Sequence, residues 1–237
     1  MTADEIIAEL RAQANAKNVA GMAHFGIAST NTLGISVPTL RAVAKRVGRD
    51  HALAQALWDS EIHEARILAG MVDEPAKVTK RQMDRWANDF DSWDVVDGIC
   101  DLFVQTPYAY EKAHQWSSHK KEYVKRAAFT MVAYLTYRDK AAPDADILQF
   151  LPIMRREAGD ERNFVKKAVN WALRNTGKRN LRCNAAAIKC AEQIRADGTR
   201  SGRWIAADAL RELRSDAVQD RLKAKAAAKP ARKSVRR

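Results

Sequence analysis

The chain has 237 residues, 46% hydrophobic and 30% charged, enough to bury a sizeable core in one large domain or a repeat array, which excludes disorder throughout. Only 10 glycines and 6 prolines occur among abundant alanine, leucine, arginine and lysine, and alternating β-branched runs are missing, which favours an all-α protein. A formal charge of +12 points to polyanionic partners, although the eight basic and no acidic residues of 221–237 supply most of it.

Apolar periodicity predicts helices over residues 2–16, 37–47, 51–59, 63–72 and 79–88, followed by further segments to residue 215 joined by short turns. Similar amphipathic stretches recur at "EARILAGMV" (64), "WDVVDGICDLF" (93), "VKRAAFTMVAYL" (124), "FVKKAVNWALR" (164) and "WIAADALREL" (204), in steps of 29, 31, 40 and 40 residues. That spacing suits two-helix units stacked as an α-solenoid of HEAT-like repeats with a basic concave surface, the alternative being an irregular globular helical bundle. The expected organisation is a repeat domain over 1–220 and a basic, disordered tail over 221–237, the tail serving at most as a nonspecific tether. No stretch reaches the roughly 20 apolar residues of a membrane span, and residues 1–10 do not form a basic leader, so the expected location is cytoplasmic. Cys100, Cys183 and Cys190 lack CxxC spacing, and the five histidines lack an HExxH arrangement, so neither a disulfide framework nor a metal site is expected.

Helical projection sorts the chemistry-bearing residues. With Val95 at zero, Ile99, Leu102 and Phe103 fall at roughly 40°, 340° and 80°, whereas Trp93 and Asp97 fall at roughly 160° and 200°, opposite the apolar stripe. On the next segment Val124, Ala128, Met131, Val132 and Leu135 form the core side, with Arg126 opposite, beside Thr130 and Ala133. On the segment from 164, Val165, Ala168, Val169, Ala172 and Thr176 are the buried stripe; Trp171 lies well off it, flanked by Lys167 and Arg174. Taken singly, each has a plain reading as an edge-capping aromatic, a solvated charge or a local salt bridge. Together they form one candidate surface, with cations suited to phosphates.

At these residues the sequence resembles the AlkD family of DNA alkylation repair glycosylases, built from HEAT-like repeats, over about residues 20–213. "SWDVVD" resembles the family's Trp-x-x-x-Asp segment, "YVKRAA" its central arginine motif, and "FVKKAVNWALR" its later tryptophan motif. "GMAHF" and "LGISVPTLR" resemble its opening helices and its Gly-Ile-x-x-Pro-x-x-Arg turn. Ser92 stands where some members have a first tryptophan, and Phe25 where the family often has tyrosine.

The resemblance implies a monofunctional glycosylase that excises cationic alkylated purines, such as N3-methyladenine and N7-methylguanine, from duplex DNA. It implies no metal or organic cofactor and no flipping of the lesion into a pocket. Carried over, Asp97 is the catalytic carboxylate, Trp93 and Trp171 contact the deoxyribose, and Arg126 binds the backbone; Lys167, Arg174 and Phe25 complete the DNA-contacting set. The expected partner is duplex DNA containing alkylated bases, met by a monomer and not by a membrane-bound protein. The residues alone leave two other uses open: a noncatalytic helical-repeat module that binds damaged or branched nucleic acid, and a protein-binding scaffold.

Overall fold

The computed structural model describes residues 1–27 and 30–228. Among these the chain forms fifteen α-helices and no strand, and it divides into two compact units, Met1–Met131 and Val132–Arg237. No helix among the described residues is long and apolar enough to cross a membrane.

The first unit contains α1 (Ala3–Ala12), α2 (Ala16–His24), α3 (Val37–Val47), α4 (His51–Asp59), α5 (His63–Val72), α6 (Lys80–Asn88), α7 (Trp93–Phe103), α8 (Ala109–Trp116) and the start of α9 (Glu122–Arg138). Short polar side chains set the starts: Thr2, Asn15, Ser36, Asp50 and Thr79 each accept a backbone N–H of the first turn. The helix expected over 2–16 ends early, and Asn15 starts another in its place. Its amide oxygen accepts from the Asn18 N–H at 3.1 Å and caps a new helix, after α1 has ended at Ala12.

In this unit α4 packs on α5, and α5 on α3 and α7. Gly70 permits the α5–α7 approach, since a Cβ there would lie 2.7 Å from Ile99 Cδ1. An aromatic run fills the core. Trp58 and Trp86 stack at 4.2 Å, and Phe103 links Trp86 at 6.3 Å to Trp116 at 6.0 Å, joining α4, α6, α7 and α8.

The turn before α3 is tied down from two sides. The buried carboxylate of Glu64, in the first turn of α5, accepts the N–H groups of Leu33 (2.8 Å), Gly34 (2.6 Å) and Ile35 (3.2 Å). Gly34 has φ +81°, and a Cβ there would lie 2.4 Å from the Asn15 carbonyl oxygen, so the position requires glycine. Asn18 donates to the Gly34 carbonyl at 2.9 Å, which fixes α2 against the same turn.

The second unit holds the rest of α9, then α10 (Asp144–Leu148), α11 (Leu151–Glu157), α12 (Asn163–Gly177), α13 (Leu181–Ala196), α14 (Arg200–Leu213) and α15 (Asp216–Ala227). Here α12 packs on α13 and α14, α13 on α14, and α11 on α13. Phe150, Met154, Val165, Leu173, Ile194, Ile205 and Leu213 are buried between them. The five recurrent segments lie within α5, α7, α9, α12 and α14. The longer steps have a cause: α10 and α11 intervene before α12, and the sixteen-residue α13 before α14.

The expected boundary at residue 220 falls inside α15, which runs to Ala227 and buries Val218 and Leu222. The tail expectation therefore does not hold for residues 221–227, because Leu222 gives that stretch an apolar anchor. Residues 229–237 lie outside the described residues.

Candidate active site

Asp97 projects from the second turn of α7 toward α9. Arg126 binds it by a fork: Nη2 donates to Oδ2 at 2.8 Å and to Oδ1 at 2.9 Å, and Nε donates to Oδ1 at 3.2 Å. Thr130, one turn along α9, donates its hydroxyl to Oδ1 at 3.3 Å. The Arg126 side chain is 7% exposed and that of Asp97 is 20% exposed, so the carboxylate is the member of the pair that keeps a path to solvent. Planar guanidinium and carboxylate match in this geometry, and the charge assistance makes such bonds about twice as strong as neutral ones.

Burial pushes Asp97 above the usual carboxylate range; the charge and hydrogen bonds of Arg126, and then Thr130, oppose that rise without cancelling it. Asp94, one turn earlier, adds a smaller push upward. Cys100, the next residue along this face, is a buried thiol held well above its ordinary value by desolvation, and its Sγ donates to the Ala127 carbonyl at 3.5 Å.

Trp93 opens α7 and is half-buried. Its indole N–H donates to the Phe25 carbonyl at 3.1 Å, and the Arg126 guanidinium carbon lies 5.8 Å from its ring centroid. The Phe25 ring itself is 70% exposed and stands edge-on to His24 at 5.7 Å. Phe25 thus contributes a backbone oxygen to the placement of Trp93, a contact unaffected by the exchange of tyrosine for phenylalanine. Because the Glu64-bound turn fixes α2, that oxygen is held by the packed unit.

Beneath Trp93 lies a second buried pair. Ser92 is fully buried and donates its hydroxyl to Asp94 Oδ1, while His63 Nε2 lies 2.8 Å from Asp94 Oδ2. Burial disfavours the charged imidazole, but the hydrogen bond and charge of Asp94 outweigh it, and His63 titrates above its ordinary value. Asp94 is correspondingly lowered, the pairing with His63 overcoming the desolvation that would raise it. Neither His63 nor Asp94 was singled out from sequence. They are 31 residues apart, and only the stacking of α5 on α7 brings them together.

The angular reading holds for α7, where Val95, Ile99, Leu102 and Phe103 are buried, and for the core stripe of α12. On α9 it identifies the core side correctly but not the other. Arg126 and Thr130 are as buried as the apolar stripe, because α7 covers that face through Asp97 and Cys100. Arg126, expected to meet the DNA backbone, is turned to Asp97.

The remaining candidates belong to the second unit. Trp171 is half-buried, edge-on to Tyr134 at 5.3 Å. Lys167 is exposed. Arg174 does not present a free cation, for it pairs with Asp208 at 3.1 Å and with Glu212. Among the described residues no three His, Cys, Asp or Glu side chains gather into a group that could hold a metal ion.

The fold and this site define a helical-repeat protein with a partly open carboxylate, held by a buried guanidinium beside an indole. The profile of the DNA alkylation repair enzyme family matches residues 6–223, and the chain belongs to that family. Its fold is similar, with a TM-score of 0.73 at 18% identity over 81% of this chain and 83% of the other, to a solved structure from a new family of proteins related to the HEAT-like repeat DNA glycosylases with affinity for branched DNA structures. No curated protein sequence matches the chain.

Proposed function

We propose that this protein is a monofunctional DNA glycosylase that hydrolyses the N-glycosidic bond of cationic alkylated purines, N3-methyladenine and N7-methylguanine among them, in duplex DNA and without base flipping. The observation that carries the reading is Asp97, a carboxylate fixed on two sides by Arg126 and Thr130 yet still open to solvent, beside the Trp93 indole.

Alkylation at N3 or N7 already makes the purine a cationic leaving group, so no general acid is required. As the bond to C1′ breaks, its electron pair leaves with the base, which departs neutral, and positive charge develops on the sugar. A fixed carboxylate stabilises that charge, as in glycoside hydrolysis. Water adds to C1′ and loses its proton, leaving an abasic site. The face of Trp93 supplies π density to the oxocarbenium-like sugar and excludes bulk water. Arg126 is a positioning residue that holds Asp97 and favours its ionised form. Lys167 supplies phosphate charge from the exposed face of α12.

The reading is tested by incubating the purified protein with methylated duplex DNA and measuring free purine and abasic sites. A second reading, a noncatalytic module for branched or damaged DNA, draws on the affinity for branched DNA of the structurally similar protein. Binding without purine release selects it.

A further inference from the structure

Trp204 has no place in the site described above. It lies on α14 opposite the stripe of Ile205, Ala209 and Leu213, and with 43% exposure it is the most exposed of the six tryptophans. An indole left in water forfeits the stabilisation that burial would bring. A cation lies over its ring. Lys166 reaches across from α12 to place Nζ 5.1 Å from the Trp204 ring centroid. Arg200, one helical turn before Trp204, and Arg203, adjacent to it, are exposed, as is Lys167 beside Lys166.

Of the acids nearby, Glu161 feels Arg200 and Lys166 only through space, and Asp208 is engaged elsewhere. Glu161 accepts the Ser201 backbone N–H at 2.9 Å, and Asp208, one turn after Trp204, is taken by Arg174, Arg211 and Asn170. An exposed aromatic face among cations that outnumber the one carboxylate near them is the pattern of a surface on which a base stacks while its phosphates are neutralised.

We infer that Trp204, with Lys166, Arg200 and Arg203, forms a second DNA-contact surface in the second unit, one that takes an unpaired base from single-stranded DNA. The requirement for an unpaired base follows from geometry. A paired base inside a duplex offers no free face to an indole, whereas every unstacked base does. Lys166, already against the ring, lies within reach of the phosphate next to a stacked base. The inference depends on the chain's being a DNA-binding protein and not on its excising a base.

The test compares a blunt duplex with the same duplex carrying a short oligothymidine overhang at either end, by fluorescence anisotropy at fixed salt. Wild-type protein should bind an overhang duplex about tenfold more tightly, the size of one base–aromatic contact. Trp204→Ala should abolish that preference while leaving blunt-duplex affinity and Tm unchanged, Trp204→Phe should restore part of it, and Lys166→Ala should reduce the salt slope on the overhang substrate alone by roughly 0.7. Equal affinity of the wild type for both substrates, or an undiminished preference in Trp204→Ala, overturns the inference. Purine release from blunt methylated duplex, measured on the same proteins, reports separately on the glycosylase reading and should be the same in Trp204→Ala as in the wild type.

Discussion

Replacing Arg126 by methionine keeps most of the side-chain volume and removes the guanidinium that forks Asp97 at 2.8 and 2.9 Å. Removing one partner of a buried pair leaves the other charge uncompensated, at a cost of about 3–5 kcal/mol. The lower end applies here, because the 20% exposure of Asp97 admits water to the orphaned carboxylate. For a chain of this size each kcal/mol moves Tm by roughly 2–4 °C, so a fall of about 6–12 °C is expected in a thermal melt. Asp97 is already raised by burial and loses its principal counterweight, so it rises further. A raised carboxylate is protonated over a wider acid range, and purine release in Arg126→Met should fail at a higher pH than in the wild type. The salt slope of DNA binding should not change, since a buried guanidinium engaged with Asp97 releases no counterions. The double variant Arg126→Met/Asp97→Asn should be more stable than the sum of the two single effects. An unchanged Tm together with a reduced salt slope would refute the reasoning, by showing that Arg126 meets phosphate in solution.

Three further outcomes follow from other contacts. His63 is raised by Asp94, so its contribution is fully present below the unfolded value, about 6.5, and is lost as pH rises through the folded value. The wild-type Tm should therefore decline over that window, and His63→Gln should flatten the decline; identical slopes in both proteins would remove the pair from the pH dependence. Glu64→Gln sets an amide N–H₂ against backbone donors of the turn at 33–35 and should cost roughly 1.5–3 kcal/mol in denaturant unfolding. Lys167→Ala should lower the salt slope of duplex binding by about one, whereas Arg174→Ala, whose cation is already paired with Asp208 and Glu212, should leave it unchanged. Equal slopes for the two variants would count against that distinction.

Much of the fold was legible because its helices carry strong one-sided periodicity. α4 and α5 fall at the expected residues, and the five recurrent segments all lie within helices. The misreadings share one physical origin, namely contacts between residues far apart in the chain or short side chains acting on the backbone. Asn15 starts α2 through a local cap that apolar periodicity does not register. Helical projection assumes one wet face, and α9 has none between Val124 and Ala133, so the side called outward holds Arg126 and Thr130 against α7. The pairing of Trp93 with Asp97 could be read from their spacing on α7. The Asp94–His63 pair and the Phe25 carbonyl could not, since they arise from residues 31 and 68 positions away. Leu222, one apolar residue in a basic run, was the available signal that α15 continues past 220.

The central claim rests on Asp97, and the most direct measurement is single-turnover release of N7-methylguanine from methylated duplex DNA by wild-type protein and Asp97→Asn, with DNA affinity measured alongside. The account predicts that the wild type releases the purine, and that the variant binds nearly as well but loses at least about a hundredfold in rate, the scale of removing one preorganised electrostatic stabiliser of a transition state. Release by Asp97→Asn at the wild-type rate would contradict it.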